Sequence, residues 1–301
     1  MIERYIEFLG MDGTIKLLQA NERPLIPSIR VNTLKMKPNE LKARLENKHF
    51  ILEPLEWVPY GFKVLKVASN LGSLHEYLQG FYYLQNLASM MPPLILNPKS
   101  NEVIIDMCAA PGSKATQLAQ IMDNGGCLIL IDKNMSRIPA LEMNVRRMGV
   151  YNSIIINHDA INLPELDIKA DKILLDVPCT GEGLIREDAS RKKSKTIQDI
   201  KKMAKIQKKL LKAGLDTLKP GGKLVYSSCS IAPEENEMVI NEVLKNNSNF
   251  SIQKISYKYG EAGFTKVFGE NLNENLRYSQ RLYPHVHDTI GFYFCLIKKK
   301  N

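Results

Sequence analysis

Apolar residues keep one rhythm up to about residue 100 and another beyond it. In the first stretch Ile2, Ile6, Leu9, Ile15 and Leu18 fall at helical spacing. They predict a short amphipathic helix over residues 1–20, ended by Pro24 and Pro27. Ile29-Arg30-Val31-Asn32-Thr33-Leu34 reads as a strand. Pro38 opens a helix carrying Leu41 and Leu45, and further strands are expected near Ile51–Leu55 and Phe62–Val67. This β-α-β-β order predicts a small α+β module over about residues 25–70. Residues 75–95 lead on through Gly80-Phe81-Tyr82-Tyr83-Leu84-Gln85 and end in Pro92-Pro93.

From Glu102 strands and helices alternate. Strands are expected at Val103–Asp106, Cys127–Asp132, Ser153–Asn157, Asp171–Asp176 and Lys223–Ser227, and helices near 113–123, 135–148, 196–218 and 234–246. Such alternation argues for a parallel sheet with helices on both faces, an α/β fold of the Rossmann-like kind. Gly291–Ile297 is a further strand, expected antiparallel at the end of the sheet. The expected division is a small N-terminal α+β module over residues 1–75 and a Rossmann-like catalytic domain over 76–301.

Composition narrows the class. Of 301 residues, 44% are hydrophobic and 24% charged, values of a soluble globular protein. No apolar run approaches the roughly 20 residues of a membrane span, and Met1-Ile2-Glu3-Arg4-Tyr5 holds no apolar signal core, so a cytoplasmic location is expected. Five cysteines without a CxxC pair favour reduced thiols over a disulfide framework or a zinc site. His285-x-His287 lacks a third ligand at a suitable spacing, so no metal is expected.

The net charge is +9, and Arg186 to Lys212, with 11 Lys/Arg and 3 Asp/Glu, carries a formal +8. A charge run is ordinarily a solvated helix face. This one directly follows the Cys179 loop, which points to a phosphate-binding surface that includes Arg186, Lys192, Lys193 and Lys195.

Ligands of a parallel α/β sheet sit at the carboxyl ends of its strands. Three such ends are chemically unusual. Asp106 runs into Met107-Cys108-Ala109-Ala110-Pro111-Gly112-Ser113-Lys114, where small residues let backbone amides approach a ligand at a helix start. Asp132 ends the next strand, where an acid can take two ribose hydroxyls, and Asp159 follows the third, placed to face an adenine amino group. Each acid alone could be a turn residue or a helix cap. Three in succession fit a ligand with adenosine and a carboxylate, and S-adenosylmethionine has both.

The other two ends are Asp176-Val177-Pro178-Cys179-Thr180-Gly181 and Tyr226-Ser227-Ser228-Cys229-Ser230. Cytosine carbon 5 is a poor nucleophile until a thiolate adds to carbon 6, and covalent catalysis of this kind divides one hard step into easier ones. A second group must then help the C5 proton leave and the thiol be expelled. Two cysteines with Asp176 beside them supply that set. Cys127 and Cys295, inside apolar strands, read as small buried hydrophobes.

These segments resemble the signature segments of the Sun-related RNA (cytosine-5) methyltransferases. The resemblance places the nucleophile on Cys229 and the release cysteine on Cys179. It places the cofactor-loop lysine on Lys114 and S-adenosylmethionine contacts on Asp132 and Asp159. Cys108, Ala109, Ala110, Pro111, Gly112, Ser113, Arg137 and Asp176 are counted with the cofactor site, and Asp176 also with the catalytic residues. Arg30-Val31-Asn32-Thr33-Leu34-Lys35 resembles the family's N-terminal motif, with Arg30 and Asn32 expected at RNA. Gly80 to Met90, with Gln85, resembles the segment before the cofactor loop. Arg281-Leu282-Tyr283-Pro284-His285 with Gly291-Phe292-Tyr293 resembles the C-terminal motif, so the resemblance covers about residues 28–297. Ser113, Ala115, Val177, Thr180 and Ser228 depart from the commoner family residues, all conservatively.

The chain also looks like the short archaeal tRNA-modifying members. That resemblance implies a monomer acting on tRNA, with rRNA as the alternative. A DNA cytosine-5 methyltransferase would use Cys179 as nucleophile and leave Cys229 without a role. An RNA-binding factor that had lost turnover need not have kept both cysteines and the acids.

Overall fold

The strands that carry the acids are parallel. In the computed structural model, which describes residues 1–192 and 195–301, Val103–Asp106 lies between Cys127–Asp132 and Ala170–Asp176, and Cys127–Asp132 pairs in turn with Ser153–Asn157. Register sets Asp106 beside Leu130 and Leu174, and Asp132, two residues beyond Leu130, beside Asn157. Apolar residues fill the strands because both faces are covered: Ile104, Ile105, Leu128, Leu130 and Ile131 are buried.

The chain divides into two compact units. One comprises Ile26–Ala160 and Ala170–Leu174, and holds these parallel strands. It also holds a four-stranded antiparallel sheet in the order Ile51–Leu55, Val58–Lys66, Ser28–Val31, Tyr82–Leu84. The helix Pro38–Glu46, with proline in its first turn as expected, adds Leu41 and Leu45 to a core with Ile29, Val31, Phe62 and Val64. The expected β-α-β-β order is present, with Tyr82–Leu84 as a fourth strand.

Pro92 and Pro93 do not end the lead-in segment. They lie inside the helix Leu87–Leu96. Proline removes an intrahelical donor, and the Ser89 carbonyl four residues before Pro93 is instead satisfied by Gln85 Nε2 at 3.1 Å.

The other unit comprises Met1–Leu25, Ile161–Lys169 and Leu175–Asn301. This partition differs from a boundary at residue 75. The first helical segment, Ile2–Asn21, is interrupted at Gly10 (φ 73°) and packs Tyr5 and Leu17 with Ile231 and Tyr283. The helix Ile197–Thr217 begins at a capping box, Thr196 with Asp199. It buries Ile200, Ala204, Gln207 and Leu211 at helical spacing and exposes Lys201, Lys202, Lys205, Lys209 and Lys212. Phe292–Lys299 pairs antiparallel with Leu218–Ser228 on one edge and with Gln280–Leu282 and Phe250–Gln253 on the other. It therefore lies inside its sheet rather than at the end. The pattern could not show this, because its added neighbours are short strands with little periodicity.

Candidate active site

The thiols come together where two strand ends are tied. Val177 N donates to Ser227 O at 2.9 Å, and Ser227 Oγ donates to Asp176 Oδ1 at 2.7 Å. The chain then turns so that Cys179 Sγ and Cys229 Sγ lie 2.7 Å apart, in hydrogen-bond contact and both partly buried. Gly183 closes the turn, with its N–H on Cys229 O at 2.9 Å and its own carbonyl accepting from Gly291 N at 2.8 Å. A Cβ there would stand 2.2 Å from Gly291 O and 2.7 Å from Cys229 O, so only glycine fits.

Buried polar side chains hold both segments. Glu235 accepts from Thr180 N (2.9 Å) and Thr180 Oγ1 (2.6 Å), while Gln207 Nε2 donates to Glu235 and to Pro178 O. Ser228 Oγ donates to Asn236 Oδ1, and Asn236 Nδ2 to Ser230 O. The hydrogen bond with Cys229, burial, and the charges of Glu235 and Asp176 raise Cys179 well above the ordinary thiol value.

The cofactor loop belongs to the other unit. Asp106 is buried at the strand end, and Cys108 N and Ala109 N are turned inward to Asp106 Oδ1 and Ile131 O. Asp132 accepts from Ala110 N at 3.1 Å and Asn134 N at 2.9 Å and lies 3.5 Å from Arg137 Nη1. Arg137 also donates to the Ala110 carbonyl, and Asn144 to that of Pro111. Gly112, at φ 106°, caps the helix Ser113–Ile121, whose second residue is Lys114. The loop offers small side chains and a helix start, and Asp132 keeps acceptor capacity beyond its two backbone partners. Asp159 is half-buried, with Lys133 Nζ 4.0 Å away. These residues fit an adenosyl ligand with a carboxylate.

The residues expected at RNA separate into two kinds. Arg30 and Asn32 are buried. Arg30 donates to Gln85 Oε1 (2.7 Å), Ser113 O, Thr116 Oγ1 and Gln120, tying the four-stranded sheet to the cofactor-loop helix. Asn32 Nδ2 bridges Gly80 O and Met148 O. Arg186 is spent on Arg23 O, Pro24 O and Asp288, its side chain 4% exposed. All three side chains are thus engaged within the fold. Lys192 is exposed and paired with Glu22, Lys195 is exposed, and Lys193 lies outside the described residues.

Sequence reasoning missed Glu235, Gln207, Thr180, Ser227 and Asn236. Only a partial signal was available. The polar run Glu234-Glu235-Asn236-Glu237 stands between Ile231-Ala232 and Met238-Val239-Ile240, but acids are also favoured at a helix start, so the run alone did not mark a buried site. Among the described residues no cluster of His, Cys, Asp and Glu could hold a metal ion, and no helix is long and apolar enough to cross a membrane.

Comparison with known proteins converges on one family. Residues 93–298 match the model described as 16S rRNA methyltransferase RsmB/F, and residues 1–87 match that of the N-terminal domain of 16S rRNA methyltransferase RsmF. The 25S rRNA (cytosine-C(5))-methyltransferase nop2 of Schizosaccharomyces pombe is 36% identical over 99% of this chain and 50% of its own length. The tRNA (cytosine(49)-C(5))-methyltransferase of Pyrococcus abyssi is 38% identical over 99% of this chain and 95% of its own. The chain thus spans about half the length of the yeast relative, and 38% of a 28S rRNA (cytosine-C(5))-methyltransferase of Mus musculus. Among solved structures, a methyltransferase homolog protein from Pyrococcus horikoshii superposes with a TM-score of 0.90 at 40% identity, covering 99% of this chain and 93% of that one. NSun6 from the same organism, solved with the S-adenosylmethionine analogue SFG, gives 0.89 at 27% identity, covering 100% and 97%.

Proposed function

We propose that this chain, which belongs to the RsmB/F family of RNA methyltransferases, methylates cytosine at carbon 5 in RNA through a covalent adduct with Cys229. The observation that carries the reading is the pair of thiols in hydrogen-bond contact at two strand ends. S-adenosylmethionine would supply a methyl group on its sulfonium. Asp132, Asp159 and the 108–114 loop would bind and orient it, Asp132 through the ribose hydroxyls.

The residues then divide the work. Cys229 gives its thiol proton to water, its Sγ bonds to cytosine carbon 6, and the C5–C6 electron pair becomes nucleophilic at carbon 5. Asp176, fixed by Ser227, would share a proton with the ring nitrogen and so stabilise the negative charge developing on the base. After methylation the C5 proton passes to water, the C5–C6 double bond re-forms, and the Cys229 Sγ–C6 bond breaks with its pair returning to sulfur. Cys179, still carrying its proton, donates a hydrogen bond to that departing sulfur. The target base must leave its stack to be reached from both sides.

Transfer tested with labelled S-adenosylmethionine, on RNA and on DNA, separates the readings. RNA alone should be labelled. Cys229→Ala should lose product and adduct together, and Cys179→Ala should accumulate protein joined to RNA, seen as a slow band on a denaturing gel. The reverse pattern would exchange the two roles and favour a DNA-type mechanism. We take tRNA as the first substrate because the archaeal tRNA enzyme matches over nearly its whole length. The rRNA enzymes among the relatives make rRNA the second substrate to test. Mapping methylated cytosines in both RNA classes, with and without the gene, decides between them.

A further inference from the structure

The release thiol is gripped from both sides by residues outside the segments that carry the cysteines. Pro178 and Thr180 flank Cys179. Gln207 Nε2 donates to Pro178 O at 2.9 Å and to Glu235 Oε1 at 3.0 Å, and Glu235 accepts the Thr180 N–H and hydroxyl. Glu235 is wholly buried. Its backbone carbonyl accepts from Tyr226 Oη at 2.5 Å, three residues before Cys229, so one residue references both thiol segments. A buried carboxylate is costly unless its hydrogen bonds are complete, and here they come from Thr180, one neighbour of Cys179, and from Gln207, which also holds the carbonyl of the other neighbour, Pro178.

We propose that Glu235, acting through Thr180 and Gln207, is a positioning residue that holds Cys179 against Cys229 for release of the methylated RNA. The proposal rests on the two-thiol reading above. It assigns Glu235 no contact with RNA or cofactor. The charge matters as well as the grip. Cys229, Glu235, Asp176 and Tyr226 face Cys179, and Arg191 Nη1 donates to the Thr180 carbonyl at 3.3 Å. Removing the negative charge of Glu235 favours the Cys179 thiolate and so removes, at lower pH, the proton that supports the departing sulfur.

The test separates adduct formation from release in single-turnover reactions on a denaturing gel. Glu235→Gln keeps the shape and most hydrogen bonds but loses the charge. It should form adduct at close to the wild-type rate and release product about tenfold to a hundredfold more slowly, the order expected when a catalytic group is misplaced. The alkaline fall in release should begin at lower pH than in wild type. Thr180→Val, which loses only the hydroxyl contact, should also accumulate adduct, and Thr180→Ser should restore release. These two variants carry the test if Glu235→Gln does not fold. Wild-type release with an unmoved pH profile in Glu235→Gln, or wild-type release in Thr180→Val where only that variant folds, would overturn the proposal. If Cys179→Ala accumulates adduct and these variants do not, the thiol reading stands and Glu235 is structural. If Cys179→Ala accumulates none, both fall.

Discussion

Each unit holds its functional loop with a fully buried arginine, and the two arginines are stabilised in opposite ways. Arg281, in the unit with the thiols, pairs with buried Glu237, donates to Ile231 O at 2.9 Å just past the Cys229 segment, and stacks on Phe264. Burial would lower its pKa, but Glu237 outweighs that and leaves it raised. Arg30, in the unit with the cofactor loop, donates to amide, hydroxyl and carbonyl oxygens, all neutral. Burial pulls it down to about 10, and nearby Arg147 adds to that while Tyr60 and Tyr83 oppose it. A buried ion pair is rigid but punishes loss of either partner. A cation among neutral acceptors has no single partner whose loss strands it.

Substitutions can break that comparison, beginning with the largest effect. Glu237→Gln strands the Arg281 charge and should cost about 3–5 kcal/mol of unfolding free energy in urea. A loss under about 1 kcal/mol would mean that the arginine relaxes to other acceptors, as Arg30 does. Asp132→Ala should weaken binding of S-adenosylhomocysteine by about 1.5–3 kcal/mol, read by calorimetric titration, with RNA binding little changed. Equal losses for both ligands would show that Asp132 matters only as the latch on Ala110 and Asn134.

Arg30→Met removes an uncompensated cation but leaves its acceptors unpaired, and about 1–2 kcal/mol should be lost. A loss as large as that of Glu237→Gln would erase the contrast between the units. The smallest effect concerns the surface. Replacing Lys201, Lys202 and Lys205 with alanine should lower the slope of log affinity for RNA against log salt by about 0.7–0.9 for each phosphate contact removed. An unchanged slope would make this helix face merely solvated.

Much of the candidate site was legible because its loops follow apolar strands. The expected strands Val103–Asp106, Cys127–Asp132 and Ser153–Asn157 have the observed bounds. The basic segment was legible only as charge. Its exposed lysines and its buried Gln207 alternate along one helix, and nothing in the charge count separates them.

What the sequence determined by itself was the order of elements, the strand ends and the candidate reacting groups, because hydrophobic period and turn residues are local properties. What only the tertiary structure decided was the company each polar side chain keeps. Arg30 meets Gln120 from 90 positions away, Cys179 meets Cys229 from 50, and Thr180 meets Glu235 from 55. An arginine in an alternating strand reads the same whether it faces water or a ring of buried acceptors. The difference lies in the desolvation cost and the hydrogen bonds that offset it, and those exist only once the distant partners are in place.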